Sequence, residues 1–248
     1  MKTIGIIPAR YESTRFPGKP LVVINGKTMI RRVYEQALKC RELHRVVVAT
    51  DHEAIYNHVR SFNGDVVMTS PSHRSGTERC LEAFEASSGG ESFQYVVNIQ
   101  GDEPFINPAQ ISQLANCLTT RDVVLATLIK PIRSADDLTN PNVVKVVISA
   151  TGEALYFSRA AIPFLRGIDI SQWIAKSVYY KHIGIYGYSA ETLRKIVFLP
   201  ETVAEKAESL EQLRWLEHGF HIMTEKTEYE SIAIDTPEDV LKIPASQV

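Results

Sequence analysis

The sequence predicts an α/β fold in which helices cover both faces of a mostly parallel β-sheet. Short apolar segments, of the length of buried strands, alternate with amphipathic segments that have helical periodicity. This alternation indicates right-handed βαβ units, in which each helix packs back onto the sheet formed by its flanking strands. The chain of 248 residues is long enough for one large domain of this kind, or for one domain and a small subdomain.

Composition and charge argue against several other classes of protein. A net charge of −2 does not provide the basic face that nucleic-acid binding requires, so we expect a small anionic ligand. No apolar run approaches the ~20 residues of a membrane helix, and the N-terminus lacks the long apolar run of a signal peptide. Cys40, Cys80 and Cys117 are scattered, which is typical of reduced cysteines without a metal role. We therefore expect a cytoplasmic protein that has no membrane span.

The first half of the chain contains the most regular alternation. Its predicted strands are Thr3–Ala9, His44–Thr50, Asp65–Met68, Tyr95–Ile99 and Val123–Ile129. Its predicted helices are Met29–Cys40, His52–Phe62, Thr77–Ala86 and Asn107–Leu118. In the last of these helices Asn107 is suited to the N-cap position and Pro108 to the first helical position.

The second half predicts strands with longer connections and a partly antiparallel arrangement. The predicted strands are Val143–Ser149, Ala154–Phe157, Ile183–Tyr188, Ile222–Thr224 and Ile232–Ile234. Helices are predicted at Thr192–Val197 and Ser209–His218, and a final helix begins after Asp235 with Pro237 in its first turn. Gly167–Lys181 has no clear periodicity and is interpreted as a flap or a partner surface.

The loop after the first strand has the composition of a phosphate-binding loop. Pro8 ends the strand, and Arg10, Ser13, Arg15 and Lys19 follow it. In open α/β sheets, ligands bind at the carboxyl ends of the strands, and three cations there would match a triphosphate. The alternative is a solvated basic loop. Neither a Gly-rich dinucleotide fingerprint nor a complete P-loop is present.

Two further turns follow strands or begin helices at the same predicted edge. Thr50 and Asp51 end the second strand and could contact a base or a sugar, or Asp51 could cap the helix that starts at His52. Ser75 and Glu78 have the spacing of a capping box. A capped helix start of this kind can still present backbone amides to a ligand.

A strand with adjacent acidic residues at its end predicts a site for a hard cation. Gln100, Asp102 and Glu103 follow the strand, and Gly101 permits a close approach of the backbone. Mg²⁺ is commonly held by one or two carboxylates together with substrate phosphates. Asp235, at the end of the last predicted strand, is the natural second carboxylate, and helix capping is its alternative role.

The last cluster is typical of a surface that recognises hydroxyl groups. His182, Gly184 and Tyr186 fall on one face of a predicted strand. Glu211 and Gln212 lie in an otherwise apolar helix, where burial would let them bind hydroxyls. The alternatives are a histidine satisfied within the core and an exposed helix face for the two polar residues.

The motifs together resemble those of the CMP-KDO synthetases, the 3-deoxy-manno-octulosonate (KDO) cytidylyltransferases. The resemblance runs end to end through IIPARYESTRFPGKPL, VATD, SGTER, VNIQGDEP, PNVVKVV, ALYFSRAAIP, HIGIYGY, LEQLR and DTPED. It implies a Rossmann-like fold of the glycosyltransferase-A type and a homodimer. It also implies a nucleotide-binding core at about 1–130 plus 225–248, and a sugar-binding and dimerisation subdomain at about 131–224.

The resemblance implies transfer of a cytidylyl group from CTP to KDO with release of pyrophosphate, for lipopolysaccharide biosynthesis. Asp102 and Asp235 would bind the cofactor Mg²⁺, and Arg15 and Lys19 would act on the leaving pyrophosphate. The implied nucleotide-binding residues are Pro8, Ala9, Arg10, Ser13, Arg15, Lys19, Thr50, Asp51, Arg74, Ser75, Gly76, Thr77, Gln100 and Asp102. The implied sugar-binding residues are Gln100, Arg159, His182, Gly184, Tyr186, Glu211 and Gln212.

One departure and two alternatives stay open. Many family members have glutamine where this chain has Arg74, so nucleotide binding could differ in detail. The acceptor could be a related acid, such as sialic acid or 8-amino-KDO. Outside the enzymes, the chain could be a regulator that senses CTP, although a sensor does not need the pair Asp102 and Asp235.

Overall fold

The computed structural model describes residues 1–12, 16–87, 92–121, 123–230, 233–241 and 243. Within these ranges the strands are β1 Thr3–Ala9, β2 Val23–Ile24, β3 Lys27–Thr28, β4 Arg45–Thr50, β5 Val66–Met68, β6 Tyr95–Asn98, β7 Leu125–Ile132, β8 Lys145–Ile148, β9 Ala154–Ser158, β10 Tyr179–Ser189 and β11 Met223–Lys226. The helices are α1 Met29–Ala37, α2 Glu53–Ser61, α3 Gly76–Ser87, α4 Pro108–Thr120, α5 Ala135–Thr139, α6 Trp173–Lys176, α7 Ala190–Ile196, α8 Val203–Glu208, α9 Glu211–Glu217 and α10 Pro237–Leu241.

One mixed sheet organises the fold, with the strand order β11-β7-β10-β6-β1-β4-β5. Strand β1 pairs in parallel with β4 and β6, and β5 extends this parallel half from β4. Strand β10 runs antiparallel between β6 and β7, and its first residues also pair with β8, which carries β9. The carboxyl ends of β1, β4 and β6 therefore meet at one edge of the sheet.

Helices cover both faces, as the period-two pattern of β1 requires. Ile7 and Ala9 pack under α1, α2 and α4, whereas Ile4 and Ile6 pack under α3, α7 and α9. All four side chains are at most 2% exposed. Burial on both faces is why the strand reads as an uninterrupted apolar run, and the predicted fold class is confirmed.

Element boundaries agree with the predictions to within a few residues in most of the chain. The cap of α4 is confirmed, because the Asn107 side chain accepts from Ala109 N at 2.9 Å and the Gln110 side chain accepts from Asn107 N at 3.3 Å. Helix α1 ends at Ala37 rather than Cys40. The predicted strand Ile232–Ile234 is wrong where it is described: Ala233 and Ile234 are not in a strand. Three short helices, α5, α6 and α8, and the hairpin β2–β3 were not predicted.

The segment Gly167–Lys181 forms a small core of its own. Trp173 and Tyr179 are buried and stack with ring centroids 6.0 Å apart, against Ile132 and Leu138. This packing fixes the segment beside the start of β10. The predicted division into a core and a subdomain stays a prediction, and β10, which comes from the second part, lies in the middle of the sheet.

None of the described helices combines the length and the apolarity needed to cross a membrane. Cys40, Cys80 and Cys117 are all free thiols and buried, as their scattered positions indicate.

Candidate active site

A cleft of about 260 Å³ opens at the carboxyl ends of β1 and β6. Most of the predicted nucleotide-binding residues that the structure describes line it. The lining residues are Pro8, Ala9, Arg10, Lys19, Pro20, His73, Arg74, Ser75, Gly76, Arg79, Gln100, Gly101, Asp102 and Asp235. Ser13 and Arg15 lie outside the described residues.

Lys19 and two carboxylates form the charged part of the cleft floor. The Lys19 ammonium lies 2.8 Å from Asp102 Oδ2 and 3.2 Å from Asp235 Oδ1. The backbone brings the two acids together, because Ile234 N donates to Asp102 O at 2.9 Å. Two carboxylates that share one cation are suited to Mg²⁺ held jointly with phosphate oxygens. No cluster of three or more metal-ligating side chains occurs in the described ranges, and Mg²⁺ binding by Asp102 and Asp235 stays a prediction.

Gly101 is required where β6 approaches β1. A Cβ at this position would lie 2.5 Å from the backbone oxygen of Pro8, closer than real contacts allow. The glycine thus lets the strand end that carries Gln100 and Asp102 lie directly against the end of β1. The close approach predicted from the sequence is confirmed.

The turn before α3 forms a wall of the cleft and is tied to that helix. Glu78 N donates to Ser75 Oγ at 3.2 Å, so Ser75 caps the helix as predicted. The Glu78 carboxylate reaches back one residue further than a capping box requires, and accepts from Arg74 N at 2.8 Å. His73 contacts Glu82 through its Nε2. These contacts hold the turn while the Arg74 side chain stays 72% exposed.

A buried ion pair lies behind this turn. Arg79 is 3% exposed and its guanidinium donates to Asp51 Oδ2 at 2.7 Å and to Thr69 Oγ1 at 2.6 Å. The alternative in which Asp51 caps α2 is wrong, because the His52 side chain accepts from Ala54 N. Thr50 is fully buried and accepts from His52 N at 3.3 Å. Thr50 and Asp51 therefore lie under the cleft, and their role in nucleotide binding stays a prediction.

An irregularity in β10 shapes the predicted sugar face. The pairing with β7 shifts between Ile183 and Tyr186. In a regular strand His182 and Tyr186 would be about 13 Å apart, but their ring centroids are 5.2 Å apart. The Thr127 hydroxyl lies in this bulge and donates to Ile185 O at 2.7 Å. The bulge thus joins two ring side chains on one face, with Gly184 between them.

His182 is held as a neutral ring. Burial beside the Phe157 and Tyr186 rings lowers its pKa to about 3. Its Nε2 lies 2.9 Å from Thr127 Oγ1, whose single proton is directed to Ile185 O, so Nε2 carries the hydrogen and donates. Nδ1 is then the acceptor nitrogen of the ring. The alternative of a histidine satisfied within the core stays open, and the role of His182 in sugar binding stays a prediction.

The nucleotide cleft and the sugar face are joined at two points. Gln100 lines the cleft and donates to Gly184 O in the bulge at 2.8 Å. Thr77, in the first turn of α3, donates to Glu211 Oε2 at 2.7 Å. Burial raises the pKa of Glu211, and the hydrogen bonds from Thr77 and Ser75 oppose that shift. Both connections run from a residue predicted to bind the nucleotide to a residue predicted to bind the sugar.

Glu211 and Gln212 do not form an exposed helix face, so that alternative is wrong. Gln212 is 5% exposed, and Glu211 is half-buried at the start of α9. Trp215, from the same helix, packs against Tyr186 with ring centroids 5.0 Å apart. The Tyr186 hydroxyl is buried and forms no hydrogen bond with the described residues.

Arg159 is fixed by backbone carbonyls. Its guanidinium donates to Glu208 O at 2.7 Å, to Pro141 O at 3.0 Å and to Ser209 O at 3.4 Å. These three bonds involve three of its five N–H groups and leave one N–H on each terminal nitrogen outside them. Arg159 follows β9 and binds the carbonyl of Ser209, which lies two residues before Glu211.

Sequence reasoning missed His73, Arg79 and Thr127. Arg79 belongs to the motif SGTER, and an arginine at a helix position that faces the core is a signal for a buried ion pair. Thr127 gave no signal, because it reads as an ordinary residue of a β-strand.

Comparison with known proteins gives one consistent family. A family model described as cytidylyltransferase matches residues 4–229. The 3-deoxy-manno-octulosonate cytidylyltransferase of Parabacteroides distasonis is 54% identical over 246 residues, which cover 98% of this chain and 96% of the relative. The protein of the same name from Cytophaga hutchinsonii is 52% identical over 241 residues, 97% of this chain and 95% of the relative.

Solved structures agree with this match. The structure of CMP:2-keto-3-deoxy-manno-octonic acid synthetase complexed with CTP superposes with a TM-score of 0.89 at 39% identity, covering 98% of this chain and 96% of that one. A cytidylyltransferase from Leptospira borgpetersenii, at 17% identity and a TM-score of 0.61, shares the fold alone.

Proposed function

This chain belongs to the cytidylyltransferase family, and from that premise we propose that it converts CTP and KDO to CMP-KDO and pyrophosphate. The structural observation that carries the proposal is the meeting of Asp102 and Asp235 across the Lys19 ammonium in the cleft. This arrangement suits a triphosphate, and the Gln100–Gly184 bond joins it to the hydroxyl-binding face. The product would enter lipopolysaccharide biosynthesis.

The proposed nucleotide site follows the cleft. Arg10 and Lys19 would bind the triphosphate together with Ser13 and Arg15 of the same loop. The turn Arg74–Thr77 would hold cytidine through its own hydroxyls and backbone amides, with Pro8 directly beside Gly76 and Ala9 also lining the cleft. The buried pair of Arg79 and Asp51 keeps this turn in place.

The proposed reaction is an in-line displacement. The C2 hydroxyl oxygen of KDO bonds to the α-phosphorus of CTP, the bond from that phosphorus to pyrophosphate breaks, and the hydroxyl proton passes to solvent. The protein's task is to align two anions, because the chemistry needs no covalent enzyme intermediate. Arg15 and Lys19 would stabilise the charge that develops on pyrophosphate.

Asp102 and Asp235 would hold the proposed Mg²⁺. When bound, that ion neutralises phosphate charge and makes the attacking hydroxyl more acidic. Lys19, which lies between Asp102 and Asp235, would then leave the two carboxylates and turn its ammonium to the phosphates.

The proposed sugar-acid site lies on β10 and α9. Arg159 would bind the carboxylate through its two remaining N–H groups, which match a forked carboxylate contact. His182 Nδ1, the Tyr186 hydroxyl and the Glu211 carboxylate would bind hydroxyls, together with Gln212.

We also propose that the protein is cytoplasmic, because CTP is a cytoplasmic nucleotide. We propose that it forms a homodimer, because several large apolar side chains of one chain segment are exposed. Five large apolar side chains between Leu155 and Val178 are exposed: Leu155, Tyr156, Phe164, Ile170 and Val178. A second copy is the partner proposed to cover them, and sedimentation measurements would test it.

Pyrophosphate release tests the function. CTP and Mg²⁺ would be supplied with KDO, with sialic acid, with 8-amino-KDO or without an acceptor. Release with KDO is expected. Release only with an acid other than KDO would support the proposed nucleotide site and refute the assignment of KDO as the acceptor. Tight CTP binding without release for any acceptor would favour a CTP sensor, and the variants Asp102→Asn and Asp235→Asn supply inactive controls.

A further inference from the structure

Lys145 lies at the start of β8 and belongs to none of the sites described so far. Its side chain is 0% exposed, although lysine is among the residues least often fully buried. Its ammonium donates to Asn140 O at 2.8 Å and to Val143 O at 2.6 Å. It forms no salt bridge with the residues of the described ranges. A buried ammonium held only by carbonyls is costly, which suggests that its position serves a purpose beyond packing.

The carbonyls that Lys145 holds belong to the turn 140–143, and this turn anchors Arg159. Pro141 O accepts from Arg159 Nη1 at 3.0 Å. Asn140 also closes the turn with its side chain, which accepts from Asn142 N at 2.9 Å. The position of the Arg159 guanidinium therefore depends on a turn whose first and last residues are both hydrogen-bonded to the Lys145 ammonium.

The same segment also anchors the sugar face. His182 N donates to Val144 O at 2.9 Å, one residue after the turn. Glu208 completes the network, because its carboxylate accepts from Ser158 Oγ at 2.6 Å and from Arg159 N at 2.8 Å. Ser158 is the cross-strand partner of Lys145. Arg159 and His182 are thus both hydrogen-bonded to the segment 140–144, which Lys145 fixes.

The charges of this network are coupled. Burial lowers the pKa of Lys145, the positive charge of Arg159 lowers it further, and Glu208 opposes both. Two cations accompanied by one carboxylate leave an excess of positive charge around the Arg159 guanidinium. Such an excess favours an incoming anion.

We propose that Lys145 is a positioning residue for recognition of the sugar-acid carboxylate: its buried ammonium fixes the turn 140–143, and that turn aims Arg159. Lys145 does not touch the substrate. The inference rests on the proposed function, since it assigns Arg159 to the carboxylate of the acceptor. It predicts a selective loss of acceptor affinity, with little change in nucleotide affinity.

The test is the variant Lys145→Met, which keeps the side-chain volume and removes the charge and the hydrogen bonds. Steady-state pyrophosphate release would give KM for KDO and for CTP separately. Loss of a charged group's hydrogen bonds predicts a KM for KDO raised by about tenfold or more, and a KM for CTP within about twofold. An unchanged KM for KDO, or equal rises in both constants, would overturn the proposal.

Two further variants separate positioning from general destabilisation. Lys181→Met is the matched control, because Lys181 pairs with Lys145 across the strands but binds Asp137 and Glu230 instead. It should leave KM for KDO unchanged. In an Arg159→Ala background, Lys145→Met should add nothing to the KM for KDO, and a full additional loss would show that Lys145 acts independently of Arg159.

A second variant in the same turn tests the inference if Lys145→Met fails to fold. If Lys145→Met does not fold, Asn140→Ala loosens the same turn from the exposed surface and should raise KM for KDO in the same direction by a smaller factor. An unchanged KM for KDO in Asn140→Ala would then overturn the inference. Wild-type enzyme that releases no pyrophosphate with KDO refutes the proposed function; active wild type with a normal Lys145→Met refutes only this inference.

Discussion

The neutral state of His182 makes the stability of the protein depend on pH in a defined direction. In the folded protein burial lowers the pKa of His182 to about 3, whereas an unfolded histidine titrates near its ordinary value of about 6.5. Below that value the unfolded chain takes up a proton that the folded chain refuses. The free energy of unfolding therefore decreases as the pH falls from about 6.5. The decrease is complete only below about pH 3, where the folded protein also binds the proton.

The size of this effect follows from the gap between the two titrations. At pH 5 the unfolded histidine lies about 1.5 pH units below its pKa, which corresponds to about 2 kcal/mol of lost stability from this one group. Other groups also titrate over this range. The relevant quantity is therefore the difference between wild type and His182→Gln, since glutamine keeps an N–H donor for Thr127 and does not titrate.

Guanidinium unfolding at pH 7 and at pH 5, at one protein concentration, measures this difference. The free energy of unfolding of wild type should fall between the two pH values by about 2 kcal/mol more than that of His182→Gln. His221→Gln is the matched control, because the His221 side chain is 78% exposed and should leave the wild-type pH dependence in place. Equal pH dependence of wild type and His182→Gln would refute the reasoning, because His182 would then titrate normally in the fold.

Substitutions at four other positions test the candidate site. Gly101→Ala should lower the melting temperature and weaken CTP binding, because its Cβ would meet Pro8 O at 2.5 Å; unchanged values of both would contradict the close approach. Asp102→Asn and Asp235→Asn should each reduce turnover by orders of magnitude with the circular dichroism spectrum unchanged, and near-normal turnover at saturating Mg²⁺ would overturn the metal assignment. Thr77→Val removes the bond to Glu211 and should raise KM for KDO about tenfold, whereas Thr77→Ser should behave as wild type.

The parts of the fold predicted well are those governed by local pattern. Strand β1 has its predicted bounds, but Pro8 does not end it as the sequence indicated, because Pro8 and Ala9 still pair with Ala49 and Thr50 of β4. The cap of α4 was predicted because Asn107 is a favoured N-cap residue and Pro108 is favoured at the first helical position. The short helices α5, α6 and α8 were not predicted, since each has only four to six residues and too few turns to show a periodicity.

The candidate site was predicted as a set of residues but not as an arrangement. Motif resemblance named Lys19, Asp102 and Asp235, yet the salt bridges among them depend on the backbone bond between Ile234 and Asp102, 132 residues apart in the chain. A period-two pattern put His182 and Tyr186 on one face but could not give the bulge, because bulges follow from the partner strand. Contacts between distant segments are set by topology, which no local pattern encodes.

The arrangement of these contacts has a consequence for how the two substrates communicate. Gln100 binds Gly184, and Thr77 binds Glu211, so two residues proposed to bind the nucleotide each hold a residue proposed to bind the sugar acid. A nucleotide that orders the turn Arg74–Thr77 would therefore also order Glu211 before the acid arrives. The free energy that couples two sites is reciprocal, so the acid would strengthen nucleotide binding by the same factor. Titration calorimetry of KDO with and without a non-hydrolysable CTP analogue would measure that factor, and it should collapse towards one in Thr77→Val but not in Thr77→Ser.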